Sequence, residues 1–137
     1  MAIRDEQRQY VRERAQNCCE YCRIPEAGRV SKFHIDHIIA QKHGGTDEND
    51  NLCLACYKCN GYKGSNIAAF DPDTGEASKL FNPREQVWTE HFKINDDATI
   101  TGLTPEGRTT LLVLRINDYV RVKPRYLAMQ VGNYPCD

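Results

Sequence analysis

The chain has 137 residues, 18 Lys/Arg against 19 Asp/Glu, and seven cysteines. That length fits one domain with a small core, and a formal net charge of −1 excludes a generally basic nucleic-acid coat. Any attraction for phosphate must come from a local patch or from bound cations, and no apolar run is long enough to span a membrane.

Residues 4–17 read as a helix. Tyr10, Val11 and Ala15 give it a narrow apolar stripe, and Arg4, Arg8, Arg12 and Arg14 are either a solvated face or a contact to a DNA backbone. The pattern is charged from Arg4 to Arg8, without the apolar stretch of a signal peptide. The cysteines are therefore expected to be reduced and cytoplasmic rather than a disulfide framework. Residues 18–22 form a tight knuckle, and Pro25 and Gly28 mark a turn. Phe33–Ile39 has the alternation and β-branching of a strand. Gly44-Gly45 and Asp47–Asn51 form a loop, Leu52–Ala55 a second strand, and Tyr57–Asn66 a helix with Cys59 and Asn60 in its first turn.

In the tail, Ile67–Phe70 and Lys79–Phe81 are expected to pair as a hairpin across Asp71–Gly75. Asp71-x-Asp73-x-Gly75 has the start of a calcium loop but Asn82 where the last acid belongs, so a turn explains it better. Asn82 as N-cap, Pro83 at the first position and Glu85 in a capping box predict a helix running to about Phe92, burying Val87, Trp88 and Phe92. His91 is expected to pack with Trp88 rather than to form a site. Thr104-Pro105 is a second helix start, leading into Leu111–Ile116, and Pro124 either kinks a helix or begins one. The outline is α+β: one domain over 1–137, with a core at about 18–66 and a mixed hairpin and helical extension at about 67–137.

Cys19-x-x-Cys22 and Cys56-x-x-Cys59 are two pairs whose spacing lets both sulfurs of a knuckle face one ion. Four thiolates close a tetrahedral site, so the expected Zn²⁺ is structural, not catalytic. Cys18 competes with Cys19 but gives three-residue spacing. Cys53 is expected as a small buried hydrophobe and Cys136 as a free thiol.

Between and beside these pairs lies a set of residues suited to cutting phosphodiesters, a reaction that needs a base for water, a cation for the phosphate charge, and a frame for both. Neutral His37 can take a proton from water. Asp36 offers a hard oxygen suited to Mg²⁺, and Asn60 a neutral amide oxygen. Asp36 and His37 are neighbours on a strand, so both serve one site only if the strand bends or ends there.

His37, Asn51 and Asn60 occupy the three lettered positions of the HNH endonuclease motif, and residues 18–66 resemble zinc-stapled members of that family with its ββα-metal fold. Leu52, the glycines at 44–45, Lys63 and the flanking cysteine pairs share in the resemblance. NPREQVWTEHF and TGLTPEGRTTLLVLRIN look like an extension on small bacterial stand-alone members. The resemblance implies DNA as partner, His37 as general base, and Mg²⁺ or Mn²⁺ on Asp36 and Asn60. It also implies that Asn51 braces the loop. The third position is often His in the family; Asn leaves the preferred metal open. His34 either supplements the metal site or is a partly exposed strand histidine. Lys58 and Lys63 either meet the DNA backbone or are solvated. The alternative to an enzyme is a zinc-stapled module that binds nucleic acid or protein without cutting.

Overall fold

The computed structural model describes residues 3–136. Helix α1 spans Asp5–Arg14, with Asp5 and Glu6 in its first turn and Arg12 and Arg14 in its last, as the helix dipole favours. Val11 alone is fully buried from this helix, while Tyr10 stays half exposed. Neither reading of the arginine run holds for its last two members. Arg12 grips the Glu26 carboxylate at 2.7 Å and the Phe33 carbonyl at 2.8 Å. Arg14 donates to the Asn49 and Leu52 carbonyls at 3.0 and 2.6 Å. The side chains are long enough to find backbone acceptors that a helix wheel does not reveal.

The core is a two-stranded antiparallel sheet and one helix. Strand β1, His34–His37, pairs with β2, Leu52–Ala55, placing Asp36 opposite Cys53 and His37 opposite Leu52. All four residues of β2 are buried. The knuckle docks on β2, where the Glu20 and Leu54 backbones pair and the Glu20 carboxylate takes the Leu54 N–H at 2.8 Å. Helix α2, Tyr57–Lys63, starts at Cys56 and ends at Gly64. Strand and helix are both shorter than the sequence predicts.

The extension opens with β3, Ala68–Phe70, and β4, Ala77–Lys79, an antiparallel hairpin. The second strand lies earlier than predicted. Leu80 and Phe81 belong to the core instead, and the Phe81 N–H is held by Thr110 Oγ1 at 2.7 Å. The helix predicted from Asn82 is largely absent. Asn82 Oδ1 does accept N–H groups from Arg84 and Glu85, but only a turn follows, and α3 is just Trp88–His91. Phe92–Ile94 then becomes strand β5, paired with β6 at Ile100–Gly102. The pairing wins because Phe92, Ile100 and Ala98 all reach the core that way. Val87, expected inside, is exposed. Trp88 and Phe92 are buried with ring centroids 4.9 Å apart, and Phe81 meets Phe92 at 5.2 Å. Such pairs add about 0.5–1.5 kcal/mol beyond area burial.

Helix α4, Pro105–Val113, starts where the sequence placed it, with Thr104 Oγ1 accepting the Gly107 N–H at 3.1 Å. A Cβ on Gly107 would lie 2.2 Å from the His91 carbonyl oxygen, so glycine alone lets α4 approach α3 this closely. Helix α5, Tyr119–Gln130, contains Pro124 without breaking. The proline removes the N–H that would bond to the Val120 carbonyl, and Val120 is exposed to water that can replace it. Among the described residues, no helix is long and apolar enough to cross a membrane.

Candidate active site

Two polar centres flank α2. On its inner side, the sulfurs of Cys19, Cys22, Cys56 and Cys59 lie within 4.8 Å of one another, all four buried. Zn–S bonds of about 2.3 Å at tetrahedral angles put sulfurs about 3.8 Å apart, and Cys22 and Cys56 stand at 3.8 Å. Each knuckle also turns a backbone N–H onto its first sulfur, Cys22 onto Cys19 at 3.5 Å and Cys59 onto Cys56 at 3.4 Å. Burial pushes the Cys19 and Cys59 thiols up, while hydrogen bonds from neighbouring cysteines, Cys19 foremost, pull Cys22 and Cys56 down. Four thiols this close cannot all ionise unaided, and a divalent cation is what such a donor set fits. The cluster is compatible with structural zinc.

The tail completes this centre. Arg121, buried, donates from Nη2 to Cys59 Sγ at 3.0 Å and lies 3.6 Å from Cys56 Sγ, and Nη1 holds the Leu114 carbonyl. Burial works against its charge, but the sulfurs of Cys59, Cys22 and Cys56 more than offset this and raise its pKa. Tyr134 gives its hydroxyl to the Cys22 carbonyl at 2.8 Å. Cys136, expected to be free, is instead joined to Cys18, their Cα atoms 6.1 Å apart. Its N–H also meets the Arg23 carbonyl at 3.0 Å. Spacing in sequence gives no hint of a pair 118 residues apart. Five other cysteines stay free, Cys53 among them, buried as expected.

On the outer side, Asp36, His37 and Asn60 line one cleft of about 290 Å³ with Ala40, Gln41 and Ser65. The neighbours Asp36 and His37 can share it because β1 ends at His37. What ends the strand is Asn51. Its Oδ1 accepts the Ile39 N–H at 2.9 Å, and its Nδ2 donates to the Ile39 and Thr46 carbonyls at 2.9 and 2.8 Å. With Ile39 thus occupied, the ladder cannot go on. Gly45 sits against this brace: a Cβ there would fall 1.7 Å from the Ile39 carbonyl oxygen.

His37 is oriented by a residue the sequence reading missed. Asp47 Oδ1 lies 2.8 Å from His37 Nε2 and also accepts Gln41 Nε2 at 2.8 Å. The bond from His37, then that from Gln41, holds the Asp47 carboxyl below its usual range, against the opposing effect of partial burial. Gln7 of α1 grips the Asp47 carbonyl at 2.8 Å, so the helix steadies the loop. Asp47 carries no motif signal of its own; an acid two residues past a glycine pair is an ordinary loop residue.

Asp36 is nearly enclosed. Its Oδ2 accepts the Tyr21 hydroxyl at 2.9 Å and faces Lys63 Nζ at 3.2 Å, and Oδ1 has only Lys63 at 3.5 Å. Burial pushes the Asp36 carboxyl up, against the pull of Lys63 and the hydrogen bond from Tyr21. Lys63 contradicts both readings of it. It is 1 % exposed and spans from Asp36 to the His37 carbonyl at 3.0 Å. The buried carboxylate draws it in, since an unpaired buried charge costs more than a bent side chain. The Asn60 amide makes no hydrogen bond among the described residues and borders both this cleft and a second one, with His34, Tyr57 and Lys58. His34 is exposed on that side, its ring 6.0 Å from Tyr57.

Residues 19–66 match the family model described as HNH endonuclease, and this stretch is an HNH domain, of a nuclease-type family. No curated protein and no solved structure matches the chain.

Proposed function

We propose that this protein is a metal-dependent endonuclease that hydrolyses DNA phosphodiester bonds, with core and extension acting as one domain inside the cell. The observation that carries the reading is the cleft shared by Asp36, His37 and Asn60 at the braced end of β1. His37 is the general base. With Nε2–H given to Asp47, Nδ1 keeps a lone pair for a proton of water. Asp47 is a positioning residue that fixes this tautomer. Asp36, through the sparsely bonded Oδ1, and Asn60 hold the divalent cation, Mg²⁺ or Mn²⁺. Such a cation, when bound, offsets charge on the phosphate and the leaving oxygen. Asn51 keeps the strand end in place, and the Cys₄ site holds Zn²⁺.

One observation favours a binding module that does not cut: Lys63 already pairs with Asp36. The charge on Asp36 is then answered without a metal. Plasmid nicking separates the two. The enzyme reading expects nicking that needs Mg²⁺ or Mn²⁺, and a His37→Ala protein that keeps its zinc and melting temperature while losing about 10²–10⁴-fold in rate. Near-normal nicking by folded His37→Ala sinks the assignment of the base, and no nicking by the parent protein under any divalent metal hands the case to the module.

A further inference from the structure

Three clefts run in series along α2, and the last of them reaches Cys22, Cys56 and Arg121 of the sulfur centre. The reaction cleft shares Asn60 with a second of about 360 Å³, lined by His34, Tyr57, Lys58, Gly61 and Tyr62. The second shares Tyr57 and Lys58 with a third of about 260 Å³ between Arg29–Phe33 and α5. The chain carries 19 Asp and Glu, yet Asp36 is the one carboxylate lining this furrow. Lys58 and Arg29 line it, and Arg115 stands over the Tyr62 ring at 5.4 Å. Tyr57 is 60 % exposed on the first residue of a helix, and Val30 and Val120 are open to solvent. A Cβ on Gly61 would meet nothing within 4 Å, so the middle of the furrow is open.

Duplex DNA presents phosphate and sugar outwards and hides its base faces. A furrow with a single, nearly enclosed carboxylate that sets cations beside an exposed ring suits a strand whose bases are unpaired, since stacking on aromatics is available to every base. We propose that the furrow carries a single-stranded DNA segment adjoining the scissile phosphate, with Tyr57 as the stacking platform and Lys58 on a phosphate. The proposal rests on the nuclease reading of the cleft and names its substrate: DNA with an unpaired stretch beside the cut.

The test is fluorescence anisotropy of the full-length His37→Ala protein with a labelled oligodeoxythymidylate and with a blunt duplex of equal length. The single strand should bind tighter. Tyr57→Ala should weaken it about tenfold, Tyr57→Phe should bind as the parent does, and Lys58→Ala should reduce the slope of log affinity against log salt by about 0.7. Melting curves confirm folding, and Tyr57→Leu, which keeps bulk without a π face, replaces Tyr57→Ala if that variant melts early. Tighter binding of the duplex, or single-strand affinity indifferent to both Tyr57 and Lys58, overturns the proposal. Parent nicking with an inert furrow removes the furrow alone. Intact single-strand binding through Tyr57 without any cleavage removes the nuclease reading and leaves the furrow standing.

Discussion

Helix α2 divides two centres that sit one residue apart. Cys59 faces inward to the sulfur cluster, and Asn60 faces outward to the cleft. The inner centre is buried, and distant residues, Arg121 and Tyr134, reach it from the tail. The outer centre is open to water, and much of its frame is a single loop: Gln41, Gly45, Asp47 and Asn51. Damage to the first should spread through the fold. Damage to the second should stay local and strike the chemistry.

Cys56→Ser is the largest way to break that contrast. It should leave a protein that aggregates or melts at low temperature and holds well under one zinc per chain, measured by elemental analysis and thermal unfolding. A folded, zinc-free variant would show that the inner centre does not hold the fold. On the outer side, Asp47→Asn should lower kcat about tenfold or more, with KM and melting temperature near parental, because the imidazole loses the partner that fixes its tautomer. A fall in melting temperature instead would place Asp47 with the structural residues.

Arg121→Met sharpens the comparison from the buried side. Hydrogen bonds to charged groups contribute about 1.5–3 kcal/mol, so the variant should unfold at lower denaturant and release zinc faster to a chromogenic chelator. Nicking rates should hold while the protein stays folded. Unchanged release would mean the guanidinium is a packing feature of α5 and not a counter-charge to the sulfurs.

The smallest effect lies far from both centres. Arg108 clasps Asp71 at 2.8 and 3.0 Å and holds its carboxyl at about 2, below the usual carboxylate range. A carboxyl depressed in the folded state stabilises above its unfolded pKa, about 3.9, and this support disappears as pH falls through about 2. The advantage of the parent protein over Asp71→Asn should be full above about pH 5 and fade progressively to nothing by about pH 1, read as a difference in melting temperature. A gap that persists at about pH 1 would assign the loss to the hydrogen bonds at Thr74 and Asp73 rather than to charge.

The core was legible because chemistry fixes its spacing. Paired cysteines, the Asp36-His37 step and Asn51 before a buried strand each specify geometry locally, and β2 fell where the sequence placed it. The extension was less legible because its signals compete. Asn82 formed its cap, yet pairing of Phe92–Ile94 with Ile100–Gly102 stopped the helix. That hairpin was hidden because Ala98 holds the left-handed turn position, φ +68°, where glycine or asparagine would have marked it. Arg125 compensates by donating to the Ala98 carbonyl at 2.7 and 3.1 Å. Lys63 and Asp47 were obscure for another reason: their roles depend on which side chain arrives opposite, which no local pattern states.

The closure of the sulfur centre by later residues has a consequence for how the chain is made. A ribosome delivers all four sulfurs, from Cys19 to Cys59, well before Arg121 and Tyr134. The nascent chain therefore exposes an uncompensated sulfur cluster, and the cover arrives later, across the 112-residue separation of Cys22 and Tyr134. Closing so long a loop is slow beside local knuckle formation. Local knuckle formation should therefore precede final burial of the sulfurs, and any metal taken up in that interval should still be open to exchange.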